Sequence, residues 1–527
     1  MAIHLPGFST FHTISEIGTN LKNKLKVGGM RFNQKRLLTL IVTVPTLALL
    51  PMLTAPVPTV DNRAREIASY FQALAFARNP LSSYTYLTPE ESYSALHLHS
   101  VLSAPLVELE FLQGGRLIAL IGASISALLV AYIGHYYWGD RGLILAPVFL
   151  WLSPTFLRFS SRSWPETLSI ALTTAVIIGV LRYCSTNERK WHLLALFSLV
   201  LAITNHMWEA TILLPATAIL VYHRRFKTAI LTGGVAITTV AVVRHLSGLQ
   251  PKPSGASSLV AYGVQNHWEL LFTADWWFGV SSLHPLSITA TLLIPLGCIL
   301  AIVFTWRAYQ EKEEVDVLLS SWLVSALTIP LALPGGAHHW YYVWALTVPI
   351  ALSGTKLGKS AIEHLTAEYS LPEDRLMYGV VATGLCLMLV YIGVFELGLL
   401  AGTEIPLAGA VTSPLAAPLT PMDQGTVEHG SAVQAGQEIK SRDITEAQEI
   451  VFVGDWQYSQ SQNYFGQAAA ARVLIYSDVV VQERQFIGGD NKGPKIATAT
   501  DSPWRDDCQA IVYRDGENIK VKDCKPR

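Results

Sequence analysis

The sequence predicts an all-α polytopic membrane protein followed by a small β-rich or α/β domain, and three observations carry that prediction. Of the 527 residues, 51% are hydrophobic and only 15% charged, with a mean hydropathy of +0.35, too apolar for a water-soluble chain of this length. The apolar residues gather into long runs, about eleven of which approach the roughly 20 residues that a helix needs to cross hydrocarbon. After about residue 400 the long runs stop and the composition turns to Pro, Ala, Gly and Thr.

The runs fall near 37–55, 116–134, 142–157, 166–183, 191–204, 209–222, 228–243, 286–305, 316–333, 340–354 and 376–399. Lys22, Lys24, Lys26, Arg31, Lys35 and Arg36 precede the first run, which lacks a small-residue cleavage site and so reads as a start-transfer helix. Two connections are long. Residues 56–115 hold a segment in which Ala64, Ile67, Ala68, Phe71 and Ala75 recur at helical spacing, then Ser92-Tyr-Ser-Ala-Leu-His-Leu-His99, leading to Pro105. Residues 244–285 begin with a Gly/Ser/Pro stretch and continue to Trp268, Trp276 and Trp277, which suit an interfacial helix, either as an aromatic belt or as a gate for a lipid substrate.

Beyond the spans, 404–445 reads as a linker, and short β-branched runs at 450–453, 472–476, 479–483 and 510–513 read as strands. The expected organisation is a cytoplasmic segment over 1–36, a membrane domain over 37–400, a linker over 401–448 and an extracytoplasmic domain over 449–527. Cys184, Cys298 and Cys386 lie in or beside membrane segments, whereas Cys508 and Cys524 lie in the polar tail and can pair if it faces an oxidising compartment.

Basic residues near span ends collect on the cytoplasmic side. An inside N-terminus puts Arg141, Arg182, Arg189, Lys190, Arg224, Arg225, Lys227, Arg307, Lys312, Lys356, Lys359 and Arg375 in the inner connections. The short outer turns at 204–209 and 334–340 then carry no Lys or Arg. This orientation, in a plasma membrane, gathers Asp61, Glu166, His206, Glu209, His267, Asp275, His284, His338 and His339 on the outer face. Ionisable groups at the edge of a membrane core are costly enough to mark a site.

Four stretches carry the candidates. Asp61 stands where the first run ends and the amphipathic segment begins, so it either caps that helix or offers a carboxylate at the water boundary. Glu166, in Arg158-Phe-Ser-Ser-Arg-Ser-Trp-Pro-Glu166, suits the first turn of a helix after Pro165, where a carboxylate also meets the positive end of the dipole. In Asn205-His-Met-Trp-Glu-Ala210, His206 and Glu209 stand three apart, a spacing that places both on one helical face. With His267 they are candidates for contacting substrate or a divalent ion, although two ligands make no metal site by themselves and a polar turn explains them equally. Pro334-Gly-Gly-Ala-His-His-Trp-Tyr-Tyr342 enters the run that reaches Pro349, and its adjacent His338 and His339 point in different directions on a helix.

The order Asp61-x-Arg63-x-x-Glu66-Ile67-Ala68 after a first span resembles the opening of the polyprenyl-phosphate-sugar glycosyltransferases of GT-C fold, with Asn62 where that family usually has a second acid. The class includes the aminoarabinose transferases that modify lipid A and the protein O-mannosyltransferases. Glu166 and its arginines resemble the family's "Arg…Pro-Asp/Glu" element, and the 334–349 stretch resembles its late "Arg/His…Tyr…Pro" element. The resemblance implies a GT-C-like fold over 37–400 and transfer of a sugar, a hexose such as mannose, from a polyprenyl or dolichyl phosphate. The acceptor is then a glycan, lipid or protein on the outer face. It implies Asp61 and Glu166 as the catalytic carboxylates, Asp61 as the base, with Arg158, Arg162, His338, His339 and Tyr342 at the donor phosphate. Nothing in it requires a metal.

The net charge of −1 gives no reason to expect a nucleic-acid partner. Two other classes share the spans. A lipid-linked sugar transporter or flippase needs charged or broken segments near mid-membrane, and few are present. A non-catalytic envelope-assembly protein tolerates loss of the Asp61 and Glu166 carboxylates. An oligosaccharyltransferase fits less well, because Trp276 and Trp277 lie in a membrane loop and no Trp-Trp-Asp-type motif follows residue 400.

Overall fold

The structure, a computed structural model, describes residues 32–53, 98–109, 114–248, 285–332, 340–396, 449–453, 508–515 and 518–523, with isolated positions elsewhere. Asp61, His267, His338 and His339 lie outside the described residues.

The described residues of the runs expected to span are helical or in 3-10 turns, apart from a break at 152–153. Helix α1 (Phe32–Leu49) continues as a 3-10 turn, Leu50–Leu53. Helix α2 (Leu98–Glu108) lies in what reads as a loop, and it buries His99, Ser100, Ser103, Ala104 and Val107. Helix α3 (Gly114–Trp151) is two arms broken at Gly139, whose φ of 60° and ψ of −142° suit a residue without a Cβ. The arms fold back so closely that a Cβ on Gly134 would come within 2.2 Å of the Gly142 carbonyl oxygen. The second arm stops at Trp151, short of the expected 157, because Ser153 accepts from the Phe156 N–H and Pro154 opens a new helix, α4 (Pro154–Ser160).

Helix α5 (Glu166–Thr186) ends at Asn187, a left-handed cap with φ of 57°. Helix α6 (Arg189–Asn205), a 3-10 turn over Met207–Ile212, α7 (Leu213–Tyr222) and α8 (Phe226–Gly248) follow. The remaining bundle is α9 (Pro285–Gln310), α10 (Glu314–Ala332), a 3-10 segment Trp340–Leu346, α11 (Thr347–Tyr369) and α12 (Glu373–Tyr391). Among the described residues seven helices are long and apolar enough to cross a membrane, and the doubled-back α3 counts as one of them. Met207–Tyr222 is apolar but shorter.

Three strands form a mixed sheet in which β1 (Glu449–Val453) runs parallel to β2 (Cys508–Asp515), and β2 runs antiparallel to β3 (Asn518–Asp523). Two match expected strands. The third, Asn518-Ile-Lys-Val-Lys-Asp523, alternates charged and apolar residues and so offers no apolar run to notice.

The core is a continuous apolar cluster that includes Ile41, Ala127, Trp151, Ile177, Leu199, Leu323 and Leu352. Small residues let the helices approach: a Cβ on Gly179 would sit 2.8 Å from the Trp191 carbonyl oxygen. Serine and threonine hydroxyls within the helices bond back to the preceding turn, as Thr46 does to Val42 and Thr173 to Ser169, so they cost little in an apolar setting.

One end of the bundle is laced by charge. Arg141 forks onto Glu373 at 2.5 and 2.6 Å and also meets Glu363. Lys356 donates to Asp316 at 2.6 Å and to Glu313 at 3.0 Å, and Arg307 reaches Asp316 at 3.4 Å. The Lys356 hydrogen bond holds the Glu313 carboxyl below its ordinary range. Tyr137 and His223 both bond to Glu314, each at 2.7 Å. These contacts bring the connections at 139–141, 222–227, 307–316 and 356–373 together, so residues expected in separate inner connections share one end. Pairing explains why Asp316 can be fully buried there.

Candidate active site

The opposite end of α5, about 30 Å away at 1.5 Å per residue, holds most of the buried polar groups. Arg158 lies in the last turn of α4, Arg162 in the turn that follows, and Glu166 opens α5. His99, Arg158, Arg162, Glu166, Asn205 and Glu209 are all 3% exposed or less. Ion pairing and hydrogen bonding are stronger at such depth than in water.

Asn205 ties this end together. Its side-chain oxygen accepts from the His99 N–H at 2.9 Å, and its amide donates to the Pro165 carbonyl at 3.0 Å and to Ser169 Oγ at 2.9 Å. One side chain therefore joins α2, the turn before Glu166 and the first turns of α5. His99 also meets the Gly115 carbonyl at 3.0 Å, where a Cβ on Gly115 would fall 1.8 Å from Ser163 Oγ. Arg116, beside that glycine, donates to the Met52 carbonyl at 2.7 Å and fixes the end of the first helix.

His206 is extended, with φ of −156°, and precedes the 3-10 turn that carries Glu209, so the two do not share a helical face. They converge on Trp344 instead. The Trp344 indole N–H donates to Glu209 Oε1 at 2.6 Å, and the His206 ring meets the indole edge-on at 4.8 Å. Ser169 and the Glu166 charge also act on the Glu209 carboxyl. A cavity of about 10 Å3 is lined by Glu209, Thr173, Thr211, Trp322, Ser325 and Trp344. It has room for about one water.

Tyr342 lies in the 3-10 segment Trp340–Leu346, two residues before Trp344. The candidates Arg158, Arg162, Glu166, His206, Glu209 and Tyr342 thus all lie on connections at this end of the bundle. The sequence passes over the organising roles of Asn205, Trp344 and Arg116. Asn205 stands in a singled-out stretch and Trp344 just past one, but neither has a local pattern that reveals a partner.

Trp344→Phe keeps an aromatic ring near His206 but removes the indole N–H together with the rest of the five-membered ring. We expect about 1–3 kcal/mol of destabilisation, the usual cost of orphaning a buried acceptor. Thermal unfolding in detergent measures it, and the loss should shrink to its packing share in a Glu209→Leu background, where no acceptor remains.

Fold and site together define a multi-pass helical membrane protein with a buried cluster of arginines and carboxylates at one end of its bundle. No protein-family model matches the chain, and no curated protein does. Among solved structures it is similar to ArnT from Cupriavidus metallidurans bound to undecaprenyl phosphate, at 14% identity and a TM-score of 0.47, with 84% of each chain covered. It is also similar to the apo oligosaccharyltransferase of Archaeoglobus fulgidus, at 12% identity and a TM-score of 0.48, covering 84% of this chain and 64% of that one.

Proposed function

We propose that the protein is a membrane glycosyltransferase that moves a sugar, a hexose such as mannose, from a polyprenyl or dolichyl phosphate to a glycan, lipid or protein acceptor. The observation that carries this reading is the convergence of Arg158, Arg162 and Glu166 at one end of the bundle, each all but excluded from solvent. These are the residues that the motif resemblance selects, and their chemistry fits the reaction.

The acceptor hydroxyl attacks the sugar C1, the bond from C1 to the phosphate oxygen breaks, and the polyprenyl phosphate departs with the bonding electrons. Asp61 takes the acceptor proton as base. The leaving phosphate needs cations more than a strong acid, a role we assign to Arg158, Arg162 and either His338 or His339, with Tyr342. Glu166 is the second catalytic carboxylate, opposite Asp61. His206, Glu209 and His267 contact substrate or a divalent ion. Attack from the face away from the phosphate inverts the anomeric centre. The cavity beside Glu209 is far below the size of a small-molecule pocket, so it does not itself hold the sugar.

In this reading the chain crosses a plasma membrane about eleven times, with residues 1–36 cytoplasmic and 37–400 forming the GT-C-like domain. Residues 401–448 are a linker, and the β-containing 449–527 lies on the outer face with the site.

Surface glycans of a deletion strain, compared by mass spectrometry with and without the wild-type gene, test the reading. The deletion should lack one sugar, which the gene restores, and the purified protein should release free polyprenyl phosphate from the lipid-linked donor. Restoration of the sugar with the donor left intact in vitro would make the protein a transporter or assembly factor.

A further inference from the structure

At the charge-laced end, Arg141, Arg307, Lys356 and Lys359 are each matched by carboxylates. Two neighbouring connections differ. The stretches 182–190 and 223–227 hold Arg182, Arg189, Lys190, Arg224, Arg225 and Lys227 against a single carboxylate, Glu188. Glu188 pairs with Lys190 at 2.5 Å, which leaves five cations in excess.

These cations stand on an aromatic shelf. The Arg182 guanidinium lies 5.4 Å from the centre of the Trp191 ring, Lys190 Nζ lies 5.9 Å from the same ring, and Arg225 lies 5.6 Å from Tyr183. Tyr183 in turn packs on His192 at 5.2 Å. Stacking holds a guanidinium flat and orients its N–H fork, which suits a phosphate better than a freely moving lysine does. Arg182 Nε and Trp191 Nε1 are both shielded from solvent, and neither donates to a protein acceptor.

Immediately along the same helices the surface is apolar. Leu193 and Phe197 on α6 are 64% and 62% exposed, and Phe226, Ile230 and Ile237 on α8 are 56%, 70% or more. Spacings of four and seven residues place the residues of each helix on one stripe.

We propose that this cluster binds the headgroup of an anionic phospholipid, with the acyl chains lying along the stripes of α6 and α8. A general excess of cations near span ends accounts for their number. It does not account for their lying where an aromatic shelf and two bare apolar stripes meet. The proposal goes beyond sugar transfer and needs only the membrane placement of the chain, so its failure leaves the catalytic reading intact.

Native mass spectrometry of the purified full chain, offered phosphatidylglycerol or phosphatidylcholine with identical acyl chains, tests it. Wild type should keep one phosphatidylglycerol under conditions that strip phosphatidylcholine. Removing two headgroup cations in Arg182→Gln/Arg225→Gln should weaken retention about 30-fold. The exposed pair Arg189→Gln/Lys227→Gln should also weaken it, and serves if the first variant misfolds. Lys35→Gln/Arg36→Gln, an equal charge loss at the start of α1, should leave retention within about threefold. Equal retention of the two lipids, equal loss in the α1 control, undiminished retention in both test variants, or displacement by equimolar inorganic phosphate would each overturn the proposal.

Discussion

On the proposed function, Asp61→Asn should lower sugar transfer by about 10²- to 10⁴-fold, the range that a positioned general base contributes. Asparagine keeps the size of the side chain and an oxygen able to cap a helix, so the amphipathic segment after it should still form. It cannot accept the proton of the acceptor hydroxyl. The measurement is release of polyprenyl phosphate by matched amounts of purified wild type and variant, alongside their unfolding midpoints. Equal midpoints with lost turnover identify a base. Equal midpoints with equal turnover make Asp61 a surface residue, and lower stability with proportionate turnover makes it a cap.

Asn205→Ala should destabilise the protein by about 2–3 kcal/mol, because it takes the acceptor from the His99 N–H and the amide from Ser169 Oγ and the Pro165 carbonyl, which keeps only its bond from the Ser169 N–H, in a fully buried place. Transfer should also fall, since the Pro165 carbonyl is held one residue before Glu166. Unfolding in detergent reads the first effect and turnover at a temperature where the variant is fully folded reads the second. Asn205→Asp keeps an acceptor for His99 but loses the amide donors, so it should rescue neither effect fully. A variant with wild-type stability would show that the α2 contact and the Glu166 turn are held by other groups.

The helices were legible because membrane spans are built from composition: a run of apolar residues is stable in hydrocarbon wherever its neighbours sit. Local signals such as Ser153-Pro154 and Asn187 were passed over, and the third run was carried to 157, although a cap involves residues within one turn. Arg158, Arg162 and Glu166 could be found because charged residues between apolar runs are conspicuous. The α2 helix was not, because its eleven residues are too few to span and the expected outer loop hid it.

What the sequence determined by itself is therefore the class of fold, the order of the helices and the end of the bundle where charge collects. The tertiary structure decided which groups hold that end. Asn205 meets His99 across 106 residues, and Trp344 meets Glu209 across 135. Those bonds depend on two helix ends arriving within 3 Å of each other, and no periodicity or local spacing encodes that distance.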